Sequence, residues 1–338
     1  MIFTVSIPTC REGLTLPVPF ASAEELVQMA VLADRLGYHS VWGNDHITPP
    51  SYVRDTYSQT PNFFEPLTIL SYVAARTERI RLGTSVIPLP LREPAYLAKQ
   101  VATLDVLSGG RVLLGVGLGA YREEYERLWP RRRQARREEL LNEGIEALTL
   151  LFREPEASYA GRHVAFDGLR LAPKPVQQPL PIYVAGNSAG AIERAARWGA
   201  GWLPAALAPA DVARGAARLH EAAARHGRDP ASIHVGPQLS CVIASSREAA
   251  RRRFEGSQTH KHLVSLAAST LRGADLSRLE DTLLIGSPAE IVEQISAYAA
   301  AGATMLAAMI FVSETSQAML EDIQHFAEAV IPAFARRA

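Results

Sequence analysis

The chain has 338 residues, 48% hydrophobic and 21% charged, with 35 Lys+Arg against 35 Asp+Glu. A formal net charge of zero argues against a nucleic-acid-binding surface, and no apolar run approaches the ~18–20 residues that span a bilayer. Cys10 and Cys241 are too few for a disulfide framework or a zinc cluster.

Met1 to Ile7 is apolar but breaks at Pro8 without a basic flank, so it does not read as a signal peptide, and the cytoplasm is the expected location. Ile2–Ile7 reads as a first strand. Ser22 then caps a helix whose apolar face is Leu26, Met29, Ala30, Ala33 and Leu36, ended by Gly37. Ser40–Gly43 is a second strand running into Asn44-Asp45-His46, followed by a Pro- and aromatic-rich loop from Pro49 to Phe64 and a helix at Pro66–Thr77.

Ile80–Val86 is the third strand, Pro94–Val106 a helix, Arg111–Val116 the fourth strand, and Glu123–Phe152 a long amphipathic stretch. The arginines at 131–133, 136 and 137 precede Glu138, Glu139 and Glu143 and read as a solvated helix face. A small β excursion (Tyr159–Leu171) precedes strand five (Ile182–Ala185), the helix Ala189–Trp198, strand six (Gly201–Leu203), a helix near Asp211–His226 and strand seven (His234–Ile243). A helical insertion spans Arg247–Arg272. Ser287-Pro288 opens the next helix, Thr304–Phe311 is strand eight, and a helix ends the chain. Eight apolar strands separated by helices imply a parallel sheet. An open doubly wound sheet fits the local pattern too, but eight regular units favour a closed (β/α)8 TIM barrel, class α/β, with insertions after strands 2, 4 and 7 and a single domain over 1–338.

Ser40-Val41-Trp42-Gly43-Asn44-Asp45-His46 resembles the second-strand signature of the bacterial luciferase-like superfamily. The similarity continues through Arg79–Val86, Ala98-Lys99-Gln100, Thr103–Arg111, Gly115–Gly119, Arg122-Glu123-Glu124, Pro181–Gly186, Ala195–Gly199 and Gly286-Ser287-Pro288. The resemblance implies a usually homodimeric barrel using either coenzyme F420 or reduced FMN with oxygen, and Asp-His after strand two is closer to the F420 branch.

Asp45 and His46 fall at the barrel end where chemistry occurs, and a His beside a carboxylate can serve as general acid or base; read alone, the pair is also a plain loop cap with a satisfied His. The resemblance places both by the cofactor ring and implies a non-prolyl cis peptide at Ser85-Val86 against it, where a trans strand end is the alternative. Gly186-Asn187-Ser188 precedes a helix and is a natural anion site, assigned to the cofactor phosphate, though Asn or Ser also serves as an ordinary cap. Gly115-Val116-Gly117-Leu118-Gly119 is a poor dinucleotide fingerprint; Gly117 and its neighbours let a flat ring approach the backbone. Glu123 either faces the cofactor or is dipole-favoured packing.

In the sugar-phosphate dehydrogenase branch a glutamate just after the Gly-x-Gly serves as acid; here that position is Ala120. No metal site is expected, and His260 and His262 read as surface positions, with a place lining a substrate pocket as the alternative. The expected function is hydride transfer between F420 and a small, largely apolar organic substrate. The alternatives are an FMN-dependent monooxygenase served by a separate reductase, and a non-catalytic flavin-binding protein.

Overall fold

The apolar runs become parallel strands in the computed structural model, which describes residues 1–266 and 276–335. Ile2–Ile7 pairs with Ser40–Gly43, which pairs with Arg81–Thr84; Val112–Gly117, Ile182–Ala185 and Gly201–Leu203 follow in turn. On its other edge Ile2–Ile7 pairs with Met305–Phe311. The remaining gap is filled by residues 234–243. His234–Val235 pairs with strand six and Ser240–Ile243 with strand eight. Between them, Gly236 N donates to Trp202 O at 2.9 Å and Gln238 N to Pro204 O at 2.8 Å, while Pro237 O accepts from Ala307 N at 3.0 Å. The ring is closed, as the sequence predicts.

The seventh strand is not the unbroken run expected. Pro237 has no N–H to give a ladder, so the strand splits around Gly236–Leu239. Its outer half also pairs with Leu283–Gly286, a strand the sequence reading missed because three apolar residues carry little periodicity. The Pro49–Phe64 loop contains a short helix, Ser51–Thr56. The long amphipathic stretch is two helices, Arg122–Leu128 and Arg137–Arg153, interrupted at Trp129-Pro130. The insertion after strand seven begins with helices Arg247–Gly256 and Gln258–Leu266; the expected continuation to Arg272 lies outside the described residues. No described helix is long and apolar enough to cross a membrane.

Residues paired across parallel strands point to the same side, so the register defines what fills the barrel. Trp42 stands opposite Gly83, and Tyr183 between Gly115 and Gly201. The two rings meet edge to face, with centroids 5.4 Å apart, and both are buried. Each removes ~150–250 Å² from water, an upper-bound contribution of about 4–6 kcal/mol at ~25 cal/mol per Å². The glycines make room for them. A Cβ on Gly83 would lie 2.2 Å from Trp42 Cδ2, and one on Gly201 2.5 Å from Tyr183 Cδ1. Gly83→Ala is therefore expected to destabilise the fold by about 1–3 kcal/mol, since a filled interior cannot absorb another methyl. The shift in denaturation midpoint measures this, and Trp42→Leu in the same chain should recover part of it. An unchanged midpoint would mean the Trp42 layer is not packed as described.

Candidate active site

Above the Trp42–Tyr183 layer, the C-terminal strand ends and the loops that follow them form the mouth. Strand two ends in Asp45, a buried carboxylate gripped by Arg92: Nη2 lies 2.7 Å from both carboxylate oxygens and Nε 3.0 Å from Oδ2. Arg92 also reaches Glu65 at 3.2 Å. Burial raises the Asp45 carboxyl above its usual range, and the guanidinium opposes that shift. This ion pair fixes the start of the loop, and so the place of the next residue.

That residue is His46. Its Nδ1 is 3.1 Å from Glu124 Oε2, and its ring lies between Phe63 and Tyr121, with centroids 5.9 Å and 5.5 Å away. Glu124 is 1% exposed, and Ile47 N donates to its other oxygen at 2.5 Å. A carboxylate accepting from Nδ1–H directs the other ring nitrogen to proton exchange. The sequence reading singled out Glu123, which the structure turns elsewhere: it accepts from Ser51 N at 2.8 Å and Ser51 Oγ at 2.7 Å and faces Arg127 at 3.6 Å. Two adjacent acids on a helix point in different directions, and spacing alone does not choose between them.

Tyr121 continues the polar chain outward. Its hydroxyl is 3.3 Å from Tyr52 Oη, which lies 2.7 Å from His262 Nδ1. His262 is 9% exposed, not the surface residue expected, because the helix Gln258–Leu266 folds back over the mouth. Burial, with help from the nearby charges of Arg11 and His46, pushes its imidazole down to about 3, so it stays neutral at pH 7. His260 packs edge-on against Phe254 at 5.2 Å. The arginine-rich stretch is exposed at 131–133, and Arg137 donates to Gly119 O at 3.1 Å.

On the adjoining strand three, where Ser85 N donates to Gly43 O at 2.7 Å, the Ser85-Val86 peptide is cis. Ser85 Oγ is hydrogen-bonded to Gln238 Oε1, and Gln238 Nε2 donates to Leu203 O at 3.2 Å. A Cβ on Gly117 would lie 2.8 Å from Val86 Cγ2, so only glycine keeps this wall flat. Gln238 lies at the kink of strand seven, where no sequence signal marked it.

Gly186 has φ +127°, a conformation that suits glycine, and its carbonyl accepts from Trp202 Nε1 at 2.8 Å. Asn187 is locked to the Ala205 backbone by two hydrogen bonds of 2.9 Å, and Ser188 caps the helix Ala189–Trp198. One turn in, Arg194 is 7% exposed and donates to Asn142 at 2.6 Å, but its Nη1 has no partner. That nitrogen would be 3.3 Å from a Cβ on Gly190. A helix N-terminus over a buried, incompletely paired guanidinium fits a phosphate, and the flat Val86–Gly117 wall fits a planar ring.

A family model described as luciferase-like monooxygenase matches residues 1–305. The chain belongs to that family. Luciferase-like relatives include an F420-dependent glucose-6-phosphate dehydrogenase of Segniliparus rotundus, 30% identical over 84% of this chain and 90% of its own length. An enzyme of the same description from Kineococcus radiotolerans is 35% identical, but the match spans only 54% of each chain. The oxygenase component of a flavin-dependent trigonelline monooxygenase from Acinetobacter baylyi is 31% identical over 52% of this chain and 46% of its own. Among solved structures, an F420-dependent secondary alcohol dehydrogenase superposes with a TM-score of 0.78 over 98% of both chains at 16% identity, which establishes the fold alone.

Proposed function

We propose that this luciferase-like protein is an F420-dependent oxidoreductase acting on a small organic substrate, with His46 as the proton-handling residue. The observation that carries the reading is the pairing of the buried Glu124 with the partly exposed His46, which opens onto the mouth beside the Val86–Gly117 wall. When bound, F420 supplies two-electron hydride chemistry. Gly186, Asn187, Ser188 and Arg194 would hold its phosphate, and Ser85, Val86 and Gly117 would meet its ring. His46 exchanges a proton with the substrate oxygen, and Glu124 stabilises the imidazolium that forms. Asp45 and Glu123 position rather than react, one through Arg92 and the other through Ser51. Tyr52, Tyr121 and His262 screen the mouth from water.

With Ala120 where the resemblance puts a glutamate in the sugar-phosphate branch, a sugar phosphate is not the substrate we assign, despite the Segniliparus relative. The trigonelline monooxygenase component supports the second reading, a reduced-FMN monooxygenase with a separate reductase partner. A homodimer in the cytoplasm belongs to either reading. The test is turnover. Protein loaded with F420 should change the deazaflavin absorbance with at least one member of an alcohol and enone panel. Silence there, together with oxygen consumption on reduced FMN, would favour the second reading.

A further inference from the structure

Arg11 follows the first strand, and among the described residues no carboxylate lies within ion-pair distance of it. Ser6 pairs with Trp42 in the register and therefore faces the barrel interior. The half-buried Arg11 folds back over that layer, and Nε donates to Ser6 Oγ at 3.2 Å, its only side-chain hydrogen bond among the described residues. The acids nearby are committed elsewhere. Glu12 accepts from Phe20 N at 2.9 Å and Asn62 N at 3.0 Å. Asp45 belongs to Arg92, and Glu124 to His46 and Ile47 N.

The environment also disfavours the charge. Burial lowers the Arg11 guanidinium to about 10, and its field reaches both Tyr121 and His262. A half-buried guanidinium with one side-chain hydrogen bond keeps its remaining donors open at the mouth, and an anion that met them would replace the water it has partly lost. Its planar fork matches a carboxylate or sulfonate.

From this geometry we infer that Arg11 is the specificity residue for a substrate bearing an anionic oxygen group, carboxylate or sulfonate, held at the mouth beside His46. The substrate is then amphipathic, with the anion on Arg11 and the reacting carbon toward the Val86–Gly117 wall, rather than largely apolar as the sequence suggested. The inference rests on the proposed active site, but its test separates the two.

Benzoate against benzamide, and hexanoate against hexanamide, are titrated by calorimetry into wild-type protein, Arg11→Gln and Arg11→Lys, with thermal unfolding as the check on folding. The wild type should prefer each carboxylate over its amide about tenfold or more, as expected of a charge-assisted hydrogen bond. Arg11→Gln should abolish the preference, and Arg11→Lys keep part of it. No preference in the wild type, or one that survives in Arg11→Gln, overturns the assignment. The same variants are titrated with F420 and FMN. A carboxylate preference lost in Arg11→Gln with cofactor affinity unchanged gives the cation to the substrate, whereas weakened cofactor binding with no carboxylate preference gives it to the cofactor and overturns the substrate class. A wild type that selects carboxylates but binds neither cofactor leaves Arg11 standing and removes the proposed function instead.

Discussion

His46→Gln is expected to lower kcat by about 10²–10⁴-fold, the usual contribution of a positioned general acid–base group. Glutamine keeps the size and polarity of the side chain but cannot carry the proton. Cofactor affinity should be retained, because the residues assigned to the phosphate and ring lie on other strands. Glu124→Gln should cost less, since it removes only the charge that orients and stabilises the imidazole. Steady-state kinetics on the F420-active substrate measures both. A His46→Gln enzyme with wild-type kcat would remove His46 from the chemistry and leave it a packed loop residue between Phe63 and Tyr121.

The second large effect is on stability. Arg92→Met should destabilise the fold by about 3–5 kcal/mol, because it leaves the Asp45 carboxylate buried without a partner. The figure for a buried pair applies here: the Asp45 side chain is 1% exposed and that of Arg92 15%. Adding Asp45→Leu to Arg92→Met should recover much of the loss, since replacing a buried pair by apolar groups is often neutral. The surface pair Arg122–Glu126, mutated as a control, should shift stability by under about 1 kcal/mol. Denaturant midpoints decide the matter, and a loss no greater than that of the control would mean the pair does not hold strand two's end. Because Asp45 precedes His46, Arg92→Met should also reduce turnover.

The barrel was legible in the sequence because parallel strands buried on both faces read as short apolar runs, and helices announce themselves by caps such as Ser22, which accepts from Glu25 N. Leu283–Gly286 escaped because its few apolar residues fit strand and helix alike. In the site, position along the chain was readable: Asp45 and His46, Ser85 and Val86, Gly117 and Gly186–Ser188 all fall at strand ends around one mouth. What each side chain touches was not. Arg92 meets Asp45 across 47 residues, Glu124 meets His46 across 78 and His262 meets Tyr52 across 210. These contacts are set by how loops from different strands converge, which local periodicity does not encode. Arg11 was overlooked for the same reason: its meaning comes from the carboxylates around it already being occupied.

The most direct measurement is a fluorescence titration of the purified protein with F420 and, separately, with oxidised and reduced FMN. Micromolar or tighter F420 binding with much weaker FMN binding is the expected result, and Arg194→Met should weaken it by removing the guanidinium beneath the helix N-terminus. Tight binding of reduced FMN with no response to F420 would contradict the account and make this chain the oxygenase half of a flavin monooxygenase.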